Sequence, residues 1–358
     1  MANNHTQFTA FNESIAISKA KKETLQGNRE TLREKIRKYF KDNKPNEIKP
    51  SFRSQGSFVM KTTINPIPIE SVEDKNKKLY KYDIDDGIYF IGKEEDRKSV
   101  STYHNWILDA VKEHTDKGAT DKTTCIRVLY ADGHHIDLPI YFKIKGDDTI
   151  PQLAHSSKDW LDSDPKAFFD WFNEKAKSNE QLRRIVRYLK AWRDYRHTQN
   201  SSTKMPSGFI LTILAANNIS YSTGRDDIAL KETLINIQKI IDPDKGGRFE
   251  CYRPTIPVDE DLFSSYSDTK RDYFLTQLDS FVKSAKEAVE GSNPKESCEK
   301  WQKHFGDRFS CSTAIDENEA KEKAKAFTEG TLKFGATTGI STIVGTPITA
   351  NKGFYGKL

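Results

Sequence analysis

Between Tyr80 and Phe90 the chain alternates β-branched and aromatic residues with polar ones, and two of the polar positions, Asp83 and Asp85, are carboxylates. Successive side chains on a strand point to opposite faces, so Asp83 and Asp85 share one face and Asp86 takes the other. Such a pair suits a hard divalent cation, because Mg²⁺ takes oxygen ligands and keeps waters and substrate phosphates in its remaining positions. A second run, His135-Ile136-Asp137-Leu138-Pro139-Ile140-Tyr141-Phe142, reads as another strand with one inward carboxylate. Placed next to the first in a sheet, it brings Asp137 beside Asp83 and Asp85. Upstream, a predicted strand from Ser51 enters the turn Gln55-Gly56-Ser57. A glycine there lets the backbone approach a phosphate closely, and the serine adds a hydroxyl. An ordinary turn is the plain alternative; the nearby carboxylates favour phosphate binding.

The order of these pieces resembles the nucleotidyltransferase superfamily that includes DNA polymerase β. The strings QGSF, DIDDGIYF and IDLPIYF, followed by KAWRDY and MPSGF, resemble one branch of it, the bacterial cGAS/DncV-like nucleotidyltransferases. The likeness covers roughly residues 10 to 310. It implies an α+β fold: a polymerase-β-like catalytic lobe with a mixed sheet, a helical lobe, and a long N-terminal helix bracing both. It also implies two Mg²⁺ ions, or Mn²⁺, held by Asp83, Asp85 and Asp137, with Asp137 helping to remove the proton of the attacking hydroxyl. Gln55, Gly56, Ser57, Lys190 and Ser207 fall where the family contacts the triphosphate. For Ser207, ahead of the apolar helix from Phe209 to Ala216, a plain helix cap stands as an equal alternative.

Net charge is +5, with Lys and Arg nearly balanced by Asp and Glu, so no dominant nucleic-acid-binding field is expected. No zinc insertion of the kind found in the animal DNA sensor is visible, so direct DNA activation is not expected. The four cysteines at 125, 251, 298 and 311 show no CxxC spacing and are read as buried free thiols. Cys298, His304 and Cys311 are too loosely spaced for a persuasive zinc site. The adjacent His134 and His135 face opposite sides of a strand and cannot readily share an ion. No apolar run approaches the ~20 residues of a membrane span and no signal peptide is apparent, so a cytoplasmic protein is expected.

In chain order, residues 1 to 12 read as loose. Glu13 to Asp42 reads as a long amphipathic helix weakened near Gly27. Ser99 to His114 reads as a helix on the back of the sheet, and CIRVLY with the run from His134 as a hairpin across Asp132-Gly133. Residues 151 to 164 read as a connector. The expected domains are 1–160, a catalytic lobe with its brace; 161–334, a helical lobe closing the cleft; and 335–358, a flexible tail. On the helix from Asn179 to His197, Arg183 is assigned to a solvated face and Lys190 to the triphosphate. Asp259-Glu260-Asp261 is read as a helix N-terminus.

The function expected from the resemblance is a cyclic oligonucleotide synthase. It joins NTPs, ATP and GTP foremost, with release of pyrophosphate, and makes a purine-containing cyclic dinucleotide, cyclic GMP-AMP slightly favoured, as an anti-phage second messenger. Regulatory or conjugating CBASS partners acting through the C-terminal tail, and a monomer or weak dimer, belong to the same expectation. The alternatives are a linear oligoadenylate-type polymerase, or a toxin or resistance enzyme that modifies RNA, protein or a small molecule. A non-enzymatic nucleic-acid binder would carry a stronger basic excess.

Overall fold

The computed structural model describes residues 1–70, 78–146, 148–337 and 339–348. The first helix, α1 (His5–Ile15), buries Phe8, Phe11 and Ile15. Spaced three and four residues apart, these side chains form one face, and that face enters the helical core. Phe8 meets the rings of Tyr188 and Trp301 edge-on at centroid distances of 5.1 and 5.0 Å. The N-terminus is therefore ordered by packing, contrary to the expectation of a loose segment. The expected long helix is divided at Ala16-Ile17, and Ser18 caps α2 (Lys19–Asn43) by accepting the Lys21 N–H at 3.2 Å. Gly27 does not interrupt α2. It lies exposed, and burial of Leu25, Leu32, Ile36 and Phe40 along the same helix outweighs its cost of about 1 kcal/mol relative to alanine.

The chain then makes β1 (Ser51–Gln55), the single turn α3 (Gly56–Val59), a small pair β2 (Ile69–Glu70) and β3 (Lys78–Leu79), and the long strand β4 (Asp83–Gly92). Helix α4 (Val100–Val111) starts at a Ser99 cap. It is followed by β5 (Ala119–Asp121), β6 (Cys125–Leu129), β7 (His135–Ile144), β8 (Gln152–His155) and β9 (Asp159–Asp162). The stretch expected to be a connector is thus a hairpin added to the sheet. The main sheet runs β1-β4-β7-β6-β5, with β8 also on β7 and β9 on β8. It is mixed: β4 and β7 are parallel, while β1 with β4 and β6 with β7 are antiparallel.

Alternation along the two central strands separates core from cleft. Ile88 and Phe90 of β4, with Ile136, Leu138, Ile140 and Phe142 of β7, join α2 and α4 in one apolar core. A second core is built by α1, α5 (Pro165–Ala176), α6 (Gln181–Gln199), α7 (Gly208–Asn218), α8 (Asp226–Ile241), α9 (Asp268–Glu290) and α10 (Pro294–Phe305). Cys298 and Cys311 form a disulfide with Cα atoms 5.7 Å apart, which corrects their reading as free thiols; Cys125 and Cys251 are free and buried. Asp259-Glu260-Asp261 starts no helix: Asp261 accepts the N–H groups of Cys251 and Phe263, and Glu260 pairs with Arg253.

After α11 (Glu317–Thr328), short strands β10 (Lys333–Gly335), β11 (Gly339–Ser341) and β12 (Thr346–Pro347) make a three-stranded sheet. Within the tail expected to be flexible from residue 335, Gly335, Gly339–Ser341 and Thr346–Pro347 lie in these strands, while the expected conjugation site at the C-terminus lies outside the described residues. Among the described residues no helix is long and apolar enough to cross a membrane.

Candidate active site

Backbone register assembles the site. On the parallel pair, Asp83 lies opposite His135 and Asp85 opposite Asp137, so all four side chains leave the same face. Gln55, at the end of β1, lies opposite Asp85. One potential ligand atom each of Asp83, His135 and Asp137 lies within 4.8 Å of the others. Asp85 is turned toward α3 instead. A Cβ placed on Gly56 would lie 2.0 Å from Asp85 Oδ2, and Gly56 has φ +72°. Glycine is thus required here by its backbone conformation and by the Asp85 carboxylate, in addition to the phosphate approach expected from the sequence.

The electrostatics fit a cation. Burial, then the neighbouring charges of Asp83 and Asp137, hold the Asp85 carboxyl well above the usual carboxylate range. A divalent ion among these oxygens would relieve that repulsion. Asp137 is buried and bound through both oxygens by Arg127 of β6, with Nε–Oδ1 and Nη2–Oδ2 each 2.8 Å. Burial also moves the His135 imidazole below its ordinary value, against the opposing pull of Asp137.

Across the cleft, α6 presents Lys190. Its Nζ donates to the backbone oxygen and the hydroxyl of Thr62 at 3.2 and 3.1 Å. Burial pushes this amine down to about 8. Gly208 brings the start of α7 against it, where an added Cβ would stand 3.2 Å from Lys190 Cε. Ser207 caps α7 by accepting the Ile210 N–H at 3.2 Å, so the cap reading is correct, and Ser207 also lines the cleft. Ser57 Oγ is hydrogen-bonded to Thr63 Oγ1 at 2.8 Å, and Gln55 Nε2 donates to the Tyr141 hydroxyl at 3.1 Å. The cleft encloses about 560 Å³ and brings Gln55, Gly56, Ser57, Asp83, Asp85, Lys190 and Ser207 to one space.

Sequence reasoning does not place three neighbours in this site, although it weighs His135 as a metal partner of His134. Arg127 and His135 were hidden because strand pairing, not spacing, brings them to Asp137. Arg193 lies one helical turn beyond Lys190, lines the same cleft, and its Nε is buried without a partner among the described residues. The KAWRDY string contains it, and its spacing from Lys190 was the available signal. Arg183, assigned to a solvated face, is buried and donates from Nε to Met60 O at 3.2 Å.

Residues 50–141 match the family model described as cyclic GMP-AMP synthase DncV-like, nucleotidyltransferase domain. That span contains the Gly-Ser turn and all three aspartates. This segment is similar to the DncV-like nucleotidyltransferase domain. A cyclic GMP-AMP synthase of Escherichia albertii is 31% identical over 185 residues, 49% of this chain and 39% of that one. A cyclic AMP-AMP-AMP synthase of an Acinetobacter strain is 25% identical over 266 residues, 69% of this chain and 71% of that one. The crystal structure of Vibrio cholerae DncV with nonhydrolyzable GTP superposes with a TM-score of 0.71 at 19% identity, covering 87% of this chain and 97% of that one. The DncV-like fold of this chain thus extends beyond the matched domain into the helical core. The match to the E. albertii enzyme spans about two fifths of that enzyme's length.

Proposed function

We propose that this DncV-like chain is a cytoplasmic cyclic oligonucleotide synthase that joins NTPs by nucleotidyl transfer with loss of pyrophosphate. The observation that carries the reading is the register of β4 on β7, which puts three aspartates on one face beneath a cleft whose opposite wall holds Lys190 and Ser207. Two divalent ions, when bound, supply charge neutralisation for the triphosphate and the attacking hydroxyl. Asp83, Asp85 and Asp137 would hold them. With both oxygens bonded to Arg127, Asp137 is better suited to holding an ion than to taking a proton. Lys190 and Arg193 place positive charge beside the phosphates, and the Ser57 and Ser207 hydroxyls offer further contacts. The 560 Å³ space has room for a nucleotide with its phosphates, between the sheet that carries the aspartates and the helical core, to which α1 also belongs.

The product proposed is a purine-containing cyclic dinucleotide, cyclic GMP-AMP foremost. A relative that is a cyclic AMP-AMP-AMP synthase supports a cyclic trinucleotide as the second reading. A role in anti-phage signalling with CBASS partners follows from the same family. The test is incubation of the purified protein with all four NTPs and Mg²⁺ or Mn²⁺, phosphatase treatment, and mass spectrometry. A phosphatase-resistant cyclic product, absent from a folded Asp83→Asn, Asp85→Asn double variant, is expected. A linear ladder would move the reading to a polymerase, and near-normal turnover by the double variant would overturn it.

A further inference from the structure

His135 has no part in the chemistry above, yet it occupies the floor of the carboxylate site. Its backbone lies opposite Asp83 and two residues before Asp137, so its ring emerges on the face of all three aspartates. Its Nε2 is 3.9 Å from Asp137 Oδ2, and its side chain is 15% exposed. Among the described residues, neither ring nitrogen has a hydrogen-bond partner. The adjacent His134 differs: it faces the other side, pairs with Asp132, and stacks on Tyr130 at 4.2 Å. Packing therefore accounts for His134 and leaves His135 without a structural task.

The spacing is that of ligands around one ion. Two ligands on opposite sides of a cation with bonds of about 2.2 Å stand about 4.4 Å apart. The Asp83, His135 and Asp137 atoms already lie within 4.8 Å of one another, so adjustments of side-chain torsions suffice. Arg127 does not block this. An ionised carboxylate has about four lone-pair sites, and the bidentate fork uses two. Arg127 fixes Asp137 in orientation and leaves its remaining lone pairs free.

We infer that His135 is a nitrogen ligand of the ion held by Asp83 and Asp137, and that this imidazole makes the site favour Mn²⁺ over Mg²⁺. The inference rests on the reading of the chain as a metal-dependent nucleotidyltransferase. Carboxylate, carbonyl and water ligands suit Mg²⁺, whereas an imidazole raises the relative affinity for transition-metal ions. A site with one nitrogen among its oxygens therefore discriminates between two ions that an all-oxygen site treats more alike. Asp85, turned toward Gly56, is left for the second ion.

The test uses the full chain with Mn²⁺ and a nonhydrolysable NTP, and reads the ion itself. Pulsed electron paramagnetic resonance should show ¹⁴N modulation from a directly bound imidazole. That signal should change to the ¹⁵N pattern when the histidines are ¹⁵N-labelled, and vanish in His135→Ala. The ratio of Mn²⁺ to Mg²⁺ affinity, from calorimetric titration, should fall in that variant by about tenfold or more, since losing even an outer-sphere partner of a metal ligand costs about that much. Mn²⁺ binding that is lost in Asp83→Asn but shows no nitrogen coupling in the wild type would overturn the role of His135 and leave nucleotidyl transfer standing. Failure of Mn²⁺ to bind at all would overturn both. Because the wild-type spectrum decides the ligand, a poorly folding variant does not rescue the inference.

Discussion

Gly56 and Lys190 show how single residues set the working state of the cleft. At Gly56 a side chain meets two obstacles, the positive φ and the Asp85 carboxylate, 2.0 Å from where a Cβ would stand. The backbone strain alone is about 1–2 kcal/mol, which a domain of this size tolerates. Displacement of Asp85 is the larger matter under the proposed function, because a misplacement of about 1 Å in a group that positions the reactants can cost about 100-fold in rate. Gly56→Ala should therefore remain folded by circular dichroism while product formation falls about 100-fold. Lys190 gives a pH dependence. Its amine sits near 8, against 10.5 in ordinary surroundings, so between those values the unfolded chain binds the extra proton. Stability contributed by this group accordingly rises with pH across that window. Under the proposed function nucleotide binding has the opposite sign, because a triphosphate beside Lys190 would be held by the ammonium. The KM for NTP should climb as pH passes about 8, and the climb should be absent in Lys190→Met. A wild-type KM that is flat through this range would show that Lys190 does not meet the phosphates.

At the scale of elements, the brace α2 is fastened to the sheet by a charge pair that the alternation of β4 sends away from the cleft. Asp86 is fully buried, and Arg33 grips it through Nε at 2.7 Å and Nη2 at 2.5 Å, with Nη2 also 3.0 Å from Ser54 Oγ. Removing one partner of a buried pair leaves the other charge uncompensated and costs about 3–5 kcal/mol. Urea denaturation of Arg33→Ala should show a loss of that size, and Arg33→Lys a smaller one; a loss under about 1 kcal/mol would place the pair among ordinary surface ion pairs. The opposite facing of Asp85 and Asp86 was legible in the sequence because a strand repeats every two residues. The same rule exposed the hydrophobic side of β7 and the hairpin across Gly133. It could not identify Arg33 as the partner of Asp86, since a contact across 53 residues leaves no local pattern. Cys298 and Cys311 are only 13 residues apart, but that spacing alone does not specify a disulfide, so their pairing escaped notice. Helix α1 escaped for a different reason: its apolar face is only three residues among polar neighbours, too short to outweigh composition until the helical core that receives it is known.

Across the whole molecule, α6 holds the segment after the Gly-Ser turn by its backbone. Arg183 donates to Met60 O, Arg187 to Lys61 O at 2.8 Å, and Lys190 to Thr62 O, while Asp194 Oδ2 accepts the Ile67 N–H at 2.7 Å. These four residues lie at helical spacings along one stripe. In the sequence the stripe looks like a solvated face, because backbone acceptors have no side-chain signature. Arg187 also donates to Asn12 Oδ1 at 2.9 Å, so one guanidinium joins α1, α6 and the turn that carries Ser57. Hydrogen bonds to charged groups contribute about 1.5–3 kcal/mol each. Arg187→Ala should thus lower stability by about 3 kcal/mol or more in urea denaturation. It should also loosen the turn relative to Lys190 without removing either proposed phosphate contact. A ligand at 100 times its dissociation constant stabilises a fold by about 2.7 kcal/mol, so a weakened site shows as a smaller thermal shift at fixed NTP concentration. The expected order of NTP-induced shift, measured with Mn²⁺ present, is wild type, then Arg187→Ala, then Lys190→Met. If Arg187→Ala loses stability yet keeps the full wild-type shift, the stripe supports the fold alone, and alignment of the two walls of the cleft depends on the nucleotide itself.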